Sequence, residues 1–464
     1  MERTFVAFPI LDLSTIRQRL LTWADSRFDV CCFLDNHHYE ISAHSVECLL
    51  AAGVVDKVHA GSGSALPALA EFAATKKDWM FGHIGYGLSR ETEPWAGSTT
   101  TGEALPDEIG FPDLFFFVPE YVIELLPGQG QVPAPIDTPE TGGLRSTSRI
   151  RIGSLRNDHA AVLEQILSAP FSASAILPAI PAPKPRFARD EYLDTVRKLQ
   201  KHILRGDCYE INFCQEFYSS PAHIDPLQTW FSLSNSSPNP FSAYYKIGAS
   251  HLLCASPERY LKRSGGTILS QPIKGTWPRT GNGSAREVAD DAARSQLYHS
   301  SKDRSENVMI VDLVRNDLSR LCVEGTVEVE ELYGIYTFPQ VHQMISTIKG
   351  ELIPGISLVD CIRATFPMGS MTGAPKNRVV RLIADVERTP RGIFSGAVGY
   401  MTPEGGFDLN VVIRSIMYND RNKYLSYQVG SGITFYSDPL LEYEECLLKA
   451  EGMKMALGLH HFVE

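Results

Sequence analysis

Lys274, in Pro272-Ile273-Lys274-Gly275-Thr276, is placed to do covalent chemistry. It stands between a predicted strand end and a Gly-Thr turn. An ordinary lysine is protonated near neutrality and has no lone pair to offer. Desolvation or a neighbouring cation can lower its pKa and make it a nucleophile. A surface or salt-bridged lysine would look the same in sequence. Glu258, in Ser256-Pro257-Glu258-Arg259, closes an apolar run. There it is either a general acid whose pKa burial raises, or a turn carboxylate paired with Arg259. His342, in Val341-His342-Gln343-Met344, either polarises a hydroxyl or bonds to backbone.

Two acidic pairs share one spacing: Asp303 with Glu306, and Glu442 with Glu445. Residues three apart lie on one helix face. Two such faces brought together would form an oxygen-rich cage suited to Mg2+, although a lone pair of this kind is usually a solvated surface. The second pair follows Gly430-Ser431-Gly432, read as a turn whose glycines would open backbone N–H groups to an anion. Lys449, one turn beyond Glu445, would add positive charge on the same face. The segment Phe366 to Lys376 is a glycine-rich turn without nucleotide P-loop spacing, and it could offer Ser370 and backbone donors to a carboxylate. Arg414, inside the apolar run Asn410 to Ile416, needs an anionic partner, either a structural carboxylate or a substrate's.

The elements that must position these groups are strands with helices arriving in clusters. Predicted strands include Val30–Phe33, Phe115–Ile123, Tyr209–Tyr218, Phe241–Lys246, His251–Ala255, Thr267–Gln271, Gly396–Met401, Asp408–Met417 and Lys423–Gly430. Predicted helices include Leu11–Trp23, Leu66–Phe72, Arg189–Leu204 and Pro439–Leu457. A charged helix-like stretch from Ala285 runs into the compact apolar run Val308–Leu313. The pattern is not a regular strand–helix alternation, so it argues for an α+β fold with large antiparallel sheets. Pro/Gly-rich linkers are expected at 127–148 and 177–185. They would separate an N-terminal region (1–185) from a catalytic region (188–458).

The formal net charge of -11, without any Lys/Arg-rich tract, argues against nucleic acid as a partner. No apolar run is long enough to span a membrane. Nine scattered cysteines, without metal spacing, suit reduced thiols and a cytoplasmic location.

Taken together, these segments resemble the chorismate-binding enzyme family. The stretches that carry the resemblance are Gly206 to Asn212, Ser256 to Arg259, Pro272 to Thr276, Lys302 to Asp312, Arg315 to Asp317, Phe366 to Lys376, and Gly430 to Ile433 leading into Ser437 to Pro439 and Glu442 to Glu445. They follow the family's order and spacing. The resemblance implies a layered sandwich with two large, mainly antiparallel β sheets flanked by helices, like anthranilate synthase component I. It implies chorismate as substrate and Mg2+ as cofactor, with Glu306 and Glu445 on the metal and Asp303 and Glu442 behind them. Arg414, Gly430, Ser431, Gly432, Lys449, Ser370 and Phe394 would contact substrate. Lys274 would attack ring carbon C2, with Glu258 or His342 assisting departure of the 4-hydroxyl.

Within the family, lysine in the Pro-Ile-x-Gly-Thr stretch resembles the aminodeoxychorismate synthases, whereas the anthranilate synthases carry alanine there. The expected reaction is therefore amination of chorismate at C4 towards 4-aminobenzoate and folate. Ammonia would come from a separate glutamine amidotransferase subunit. The alternatives are 2-amination, as in anthranilate synthase component I, and a non-catalytic chorismate-binding subunit. The water-activating lysine of the isochorismate and salicylate enzymes aligns with Glu210, which does not suit that role. Four positions depart from the usual pattern: Glu210 stands for glutamine, Gln271 for arginine, Phe394 for tyrosine and Asp303 for glutamate. The leucine-rich tryptophan-binding segment found in some members is not evident.

Overall fold

Several strands are buried at nearly every position, among them Val30–Asp35, Cys48–Ala52, Glu210–Ser219 and Ser250–Ser256. Such strands need cover on both faces. The computed structural model describes all residues except 1, 11, 38, 40–47, 94–106, 127–147, 171–179, 280–283, 339–340 and 460–464. It provides that cover by stacking two antiparallel sheets and flanking them with helices.

Among the described residues the first sheet has 12 strands. From edge to edge they are Thr4–Ile10, Ser148–Ser154, Tyr121–Leu126, Cys48–Ala52, Val30–Asp35, Phe241–Ile247, Ser250–Ser256, Ser415–Asn419, Tyr424–Ile433, Glu210–Ser219 and Gly373–Ala374, with Lys184–Pro185 added beside Glu210–Ser219. The second has 10 strands and runs Ile273–Pro278, Val341–Glu351, Thr267–Gln271, Arg259–Ser264, Phe407–Val411, Ala397–Met401, Met80–Ile84, Leu114–Val118 and Asp56–Ala60, with Glu328–Thr337 paired to Val341–Glu351. The strict two-residue period of a strand divides the core. Cys32 and Leu49 of the first sheet join Phe81 and Leu409 of the second in one apolar cluster. Cys31, Phe33 and Leu50, on the opposite face, pack with the helix residues Trp23, Tyr192, Trp230 and Met453. The expected architecture is therefore the observed one.

Segments from both ends of the chain share each sheet. Val30–Asp35 pairs with Phe241–Ile247, and Met80–Ile84 with Ala397–Met401. Most of the 127–148 linker, and 177–179 of the second, lie outside the described residues; Lys184–Pro185 forms a short strand on Phe217–Tyr218.

Two elements differ from expectation, and one apolar run left unassigned proves helical. Phe115–Ile123 is two strands in different sheets, broken at Pro119, which has no N–H for a ladder. Asp408–Met417 also splits between the sheets, and Arg414 at the break has a left-handed φ of 52°. Val308–Leu313 lies inside the helix Ser301–Ser319; its apolar run covers a buried helix stripe that includes Ile310, Val311 and Val314. The helix Arg189–Leu204 forms as expected and Gly206, with φ 85°, follows its end.

Candidate active site

The chain crosses between the sheets twice where the site forms. Ser256 ends a strand of the first sheet and Arg259 begins one of the second, so Glu258 sits on the crossing. Arg414 sits on the return crossing, between Val411 and Ser415. The crossings are tied to each other. Val411 N–H donates to the Glu258 carbonyl at 3.0 Å, and Ala255 N–H donates to the Arg414 carbonyl at 3.2 Å. The backbone that carries two chemically useful side chains is thus fixed at both crossings.

Lys274 owes its direction to a bulge. In the edge strand Ile273–Pro278, Ile273 pairs with Ile345 and Thr276 with Gln343, which leaves one extra residue on the lysine's strand. Gly275, with φ 91°, supplies the left-handed backbone that this requires. The lysine side chain is only 10% exposed, and its Nζ donates to Glu210 Oε1 at 2.6 Å. Gly430-Ser431-Gly432 is not a turn but the end of the strand Tyr424–Ile433. Its glycines serve close approach. A Cβ on Gly432 would stand 2.5 Å from Glu210 Oε1 and 2.8 Å from Lys274 Nζ, and one on Gly430 would collide with Cys214 Sγ. The Ser431 side chain is turned to the other face, near the Tyr192 hydroxyl at 3.5 Å.

The acidic pairs lie on the helices Ser301–Ser319 and Pro439–Ala456. Glu306, Glu442 and Glu445 converge on the Lys302 ammonium, at 4.0, 3.2 and 3.9 Å. Asp303 is turned elsewhere: its Cβ and Oδ1 lie beside Gly275, and its backbone N–H is capped by Ser300. Lys449 Nζ pairs with Glu445 at 2.7 Å and donates to the Gly430 carbonyl at 2.9 Å, which links the acidic helix to the glycine strand.

The carboxylates differ in protonation. Burial pushes Glu258 up to about 7, although the Ser370 hydroxyl, the Lys274 charge and the Ile273 N–H pull the other way. Burial likewise raises Glu306 to about 7, opposed by Lys274 and Lys302 and reinforced by Glu210 and Glu442. Lys449 holds Glu445 down at about 2 against burial, helped by Lys302 and Lys274. For Lys274, burial favours the neutral amine, but Glu210, Glu306 and Glu445 together outweigh it and hold the ammonium above the ordinary lysine value. Burial lowers Arg414, against the opposing charge of Glu445. A lysine unpaired by burial, as the nucleophile requires, is therefore not the resting state of this site.

Ser370 lines a cavity with Glu258, Pro272, Met368 and Gly369, and its carbonyl accepts from Asn212 at 2.9 Å. Phe394 is buried in the apolar cluster between the sheets. His342 is buried, with ring nitrogens 3.0 Å from Thr337 Oγ1 and 3.1 Å from Asp290 Oδ1; its hydrogen bonds go to these groups rather than to Glu258 or Lys274. Gln271 accepts from Arg259 at 2.6 Å, so it completes a buried polar contact. Two charged residues central to this geometry, Glu210 and Lys302, were not singled out from sequence as site residues. The four-residue spacing of Lys302 to Glu306 was the available signal for one. For Glu210, whose partner is 64 residues away, the signal was its alignment with the water-activating lysine of other family members.

As placed, no group of three or more His, Cys, Asp or Glu among the described residues is set to hold a metal. The donor chemistry nonetheless fits a hard cation: carboxylates already surround one positive charge, and Glu306 Oε1 is buried without a hydrogen-bond partner among the described residues. Lys302, whose side chain is 54% exposed, would have to withdraw to solvent.

The family model for chorismate binding enzyme matches residues 27–455. A probable chloroplastic aminodeoxychorismate synthase of Oryza sativa subsp. japonica is 35% identical over 389 residues, 80% of this chain and 42% of that protein. Aminodeoxychorismate synthase component 1 of Klebsiella aerogenes is 36% identical over 278 residues, 60% of each chain. The Streptomyces pristinaespiralis aminodeoxychorismate synthase is 41% identical over 60% of this chain and 38% of its own length. The chain thus spans between 38% and 60% of the length of these relatives. In fold it is similar to anthranilate synthase component I of Streptococcus pneumoniae, with TM-score 0.71 at 24% identity over 90% of this chain and 94% of that one. It is equally similar to the menaquinone-specific isochorismate synthase of Escherichia coli, with TM-score 0.72 at 15% identity over 98% and 95%.

Proposed function

The chain belongs to the chorismate-binding enzyme family, and from that premise we propose that it aminates chorismate at C4, as an aminodeoxychorismate synthase component I. The observation that carries this reading is Lys274: a largely buried amine, aimed by a bulge, in electrostatic reach of Glu258, Glu306 and Glu445. The names of the relatives support it.

In the proposed sequence Lys274, once neutral, forms a bond to C2 of the ring. The ring double bonds shift and the C4–O bond breaks, with Glu258 giving its proton so that water leaves. A carboxyl held near 7 by burial suits that task. Ammonia then bonds to C4, the double bonds shift back, and the C2–Nζ bond breaks. Arg414 and Lys449 would take the substrate carboxylates, with the backbone of Gly430 and Gly432 beside them. Mg2+ on Glu306 and Glu445, with Glu442 behind, would supply charge neutralisation for the ring carboxylate. Ammonia would come from glutamine through a separate amidotransferase subunit, and high ammonium would replace that subunit in vitro.

The test is product identity. With chorismate, Mg2+ and an ammonium salt, a non-aromatic amino compound should accumulate and become 4-aminobenzoate only after a lyase is added. Fluorescent anthranilate as product would overturn the reading.

A further inference from the structure

We propose that Glu210 is a further catalytic residue, which takes the proton that Lys274 must shed and holds it until the lysine is released from the ring. This rests on the reading of Lys274 as nucleophile.

The problem it solves is set by the resting site. Even an ordinary lysine is neutral in only about one molecule per thousand or fewer near pH 7, and the acidic surroundings of Lys274 make that fraction smaller. Waiting for solvent to remove the proton would be slow. The groups facing Lys274 are Glu210 on the strand Glu210–Ser219, Glu306 on the helix Ser301–Ser319, Glu445 on the last helix and Glu258 on the sheet crossing. Glu306 and Glu445 are occupied with Lys302, and Glu445 also with Lys449. Glu258 must give a proton to the leaving hydroxyl, so it cannot accept one first. Glu210 has neither task.

Its geometry suits the role. Glu210 Oε1 is the hydrogen-bond acceptor of Lys274 Nζ at 2.6 Å, within proton-transfer reach. The carboxylate side chain is only 1% exposed, and its Oε2 is buried with no hydrogen-bond partner among the described residues. With no other hydrogen bond to break, the carboxylate can take a proton along its one contact with the lysine. Gly432 holds the two groups together, because any side chain there would occupy the space of both Glu210 Oε1 and Lys274 Nζ.

The protons balance. Lys274 ammonium gives one proton to Glu210, and the resulting amine bonds to C2 and becomes a secondary ammonium. Glu258 gives its proton to the departing hydroxyl, which leaves as water. When ammonia bonds to C4, Lys274 departs as a neutral amine and recovers its proton from Glu210. The new C4 ammonium returns one proton to Glu258. The sum is chorismate plus ammonia giving the amine plus water, with the protein restored.

The test follows adduct formation on Lys274 by intact mass spectrometry, using the full chain with chorismate and Mg2+ but no ammonia, between pH 6 and 9. In the wild type an internal transfer leaves only the Glu258 limb, so the rate should be level below about pH 7 and fall above it. In Glu210→Gln the proton must go to solvent, so the rate should fall at least roughly tenfold at pH 6 and climb about tenfold per pH unit up to about 7, where loss of the Glu258 proton offsets any further gain. Glu210→Asp keeps a carboxylate and should keep the wild-type profile at a lower rate, which also serves if the glutamine variant fails to fold. Equal rates for wild type and Glu210→Gln at every pH, or a steep profile for Glu210→Asp, would overturn the shuttle alone. Absence of any wild-type adduct on Lys274 would overturn the nucleophile reading and the shuttle with it.

Discussion

Glu258 and Glu445 are the same residue type, and both feel the charge of Lys274, yet the protein drives them apart. Glu258 stands on a crossing between sheets, where burial dominates and its carboxyl is pushed up to about 7. Glu445 stands on a helix beside Lys449 and Lys302, which hold it near 2. At Glu258 burial outweighs the neighbouring charge, whereas at Glu445 two helix lysines outweigh burial. The difference assigns work by physics: a group near neutrality can hand over a proton, whereas a group locked as an anion can only bind charge. The first region is suited to bond breaking and the second to holding a cation or carboxylate.

The largest expected effect comes from removing the proton in the Glu258 region. Glu258→Gln keeps the shape and should lower kcat by about 10²–10⁴-fold with little change in chorismate affinity. Its stability should move the opposite way. The folded protein retains a proton on Glu258 that the unfolded chain, with its ordinary value of 4.5, has lost. Stability therefore falls as pH rises from about 4.5 to 7 and is level above. At pH 8 the glutamine variant should be more stable by on the order of 1–3 kcal/mol, read as a higher Tm. Glu445 gives the reverse sign: its contribution is present above 4.5 and is lost as pH falls towards 2. If Glu258→Gln is fully active, the division of labour between the two regions is wrong.

The charged region is tested by Lys302→Met, which removes the cation from among Glu306, Glu442 and Glu445. The three carboxylates then repel one another. Because Lys302 is half exposed, the loss should be modest, about 1 kcal/mol without added metal. Mg2+ should restore more stability to this variant than to the wild type, which a Tm titration measures. An equal Tm gain in both proteins would mean that the lysine and the cation do not share this site.

Gly432→Ala strikes the join between the regions. The new methyl would meet Glu210 Oε1 at 2.5 Å and Lys274 Nζ at 2.8 Å. Overpacking of this kind costs about 1–3 kcal/mol unless the ion pair moves. Denaturant midpoints should fall accordingly, and adduct formation on Lys274 should slow. Wild-type values for both would show that the glycine is not needed for this approach.

The Glu258 region was easier to read in sequence than the charged one. Glu258 and Arg414 interrupt apolar runs, and that interruption is the local trace of a chain leaving one sheet for the other. Period-two burial and helix-spaced apolar residues likewise marked most elements. The bulge at Lys274 was hidden, because a register shift depends on the partner strand at Gln343–Ile345. The Gly430–Gly432 segment was misread as a turn because glycine serves equally where a chain bends and where another group comes close. Glu210 and Lys302 were missed as site residues because their charges matter only once distant strands and helices meet.

The finest adjustment to the comparison lies at Ser370. Its hydroxyl lowers the Glu258 carboxyl against the larger effect of burial, and it lines the same cavity. Ser370→Ala should therefore raise Glu258 further and carry the alkaline limb of the kcat/KM profile upward by roughly half a pH unit. Glu258 must be protonated to act, so activity in both proteins falls above that limb, and the variant keeps activity into slightly more alkaline buffer. The Lys302 cluster, governed by charge pairs rather than by this hydroxyl, should show an unchanged Mg2+ titration. A limb that shifts downward would mean that Ser370 stabilises the protonated rather than the ionised carboxyl, and that the burial of Glu258 is not what sets its proton.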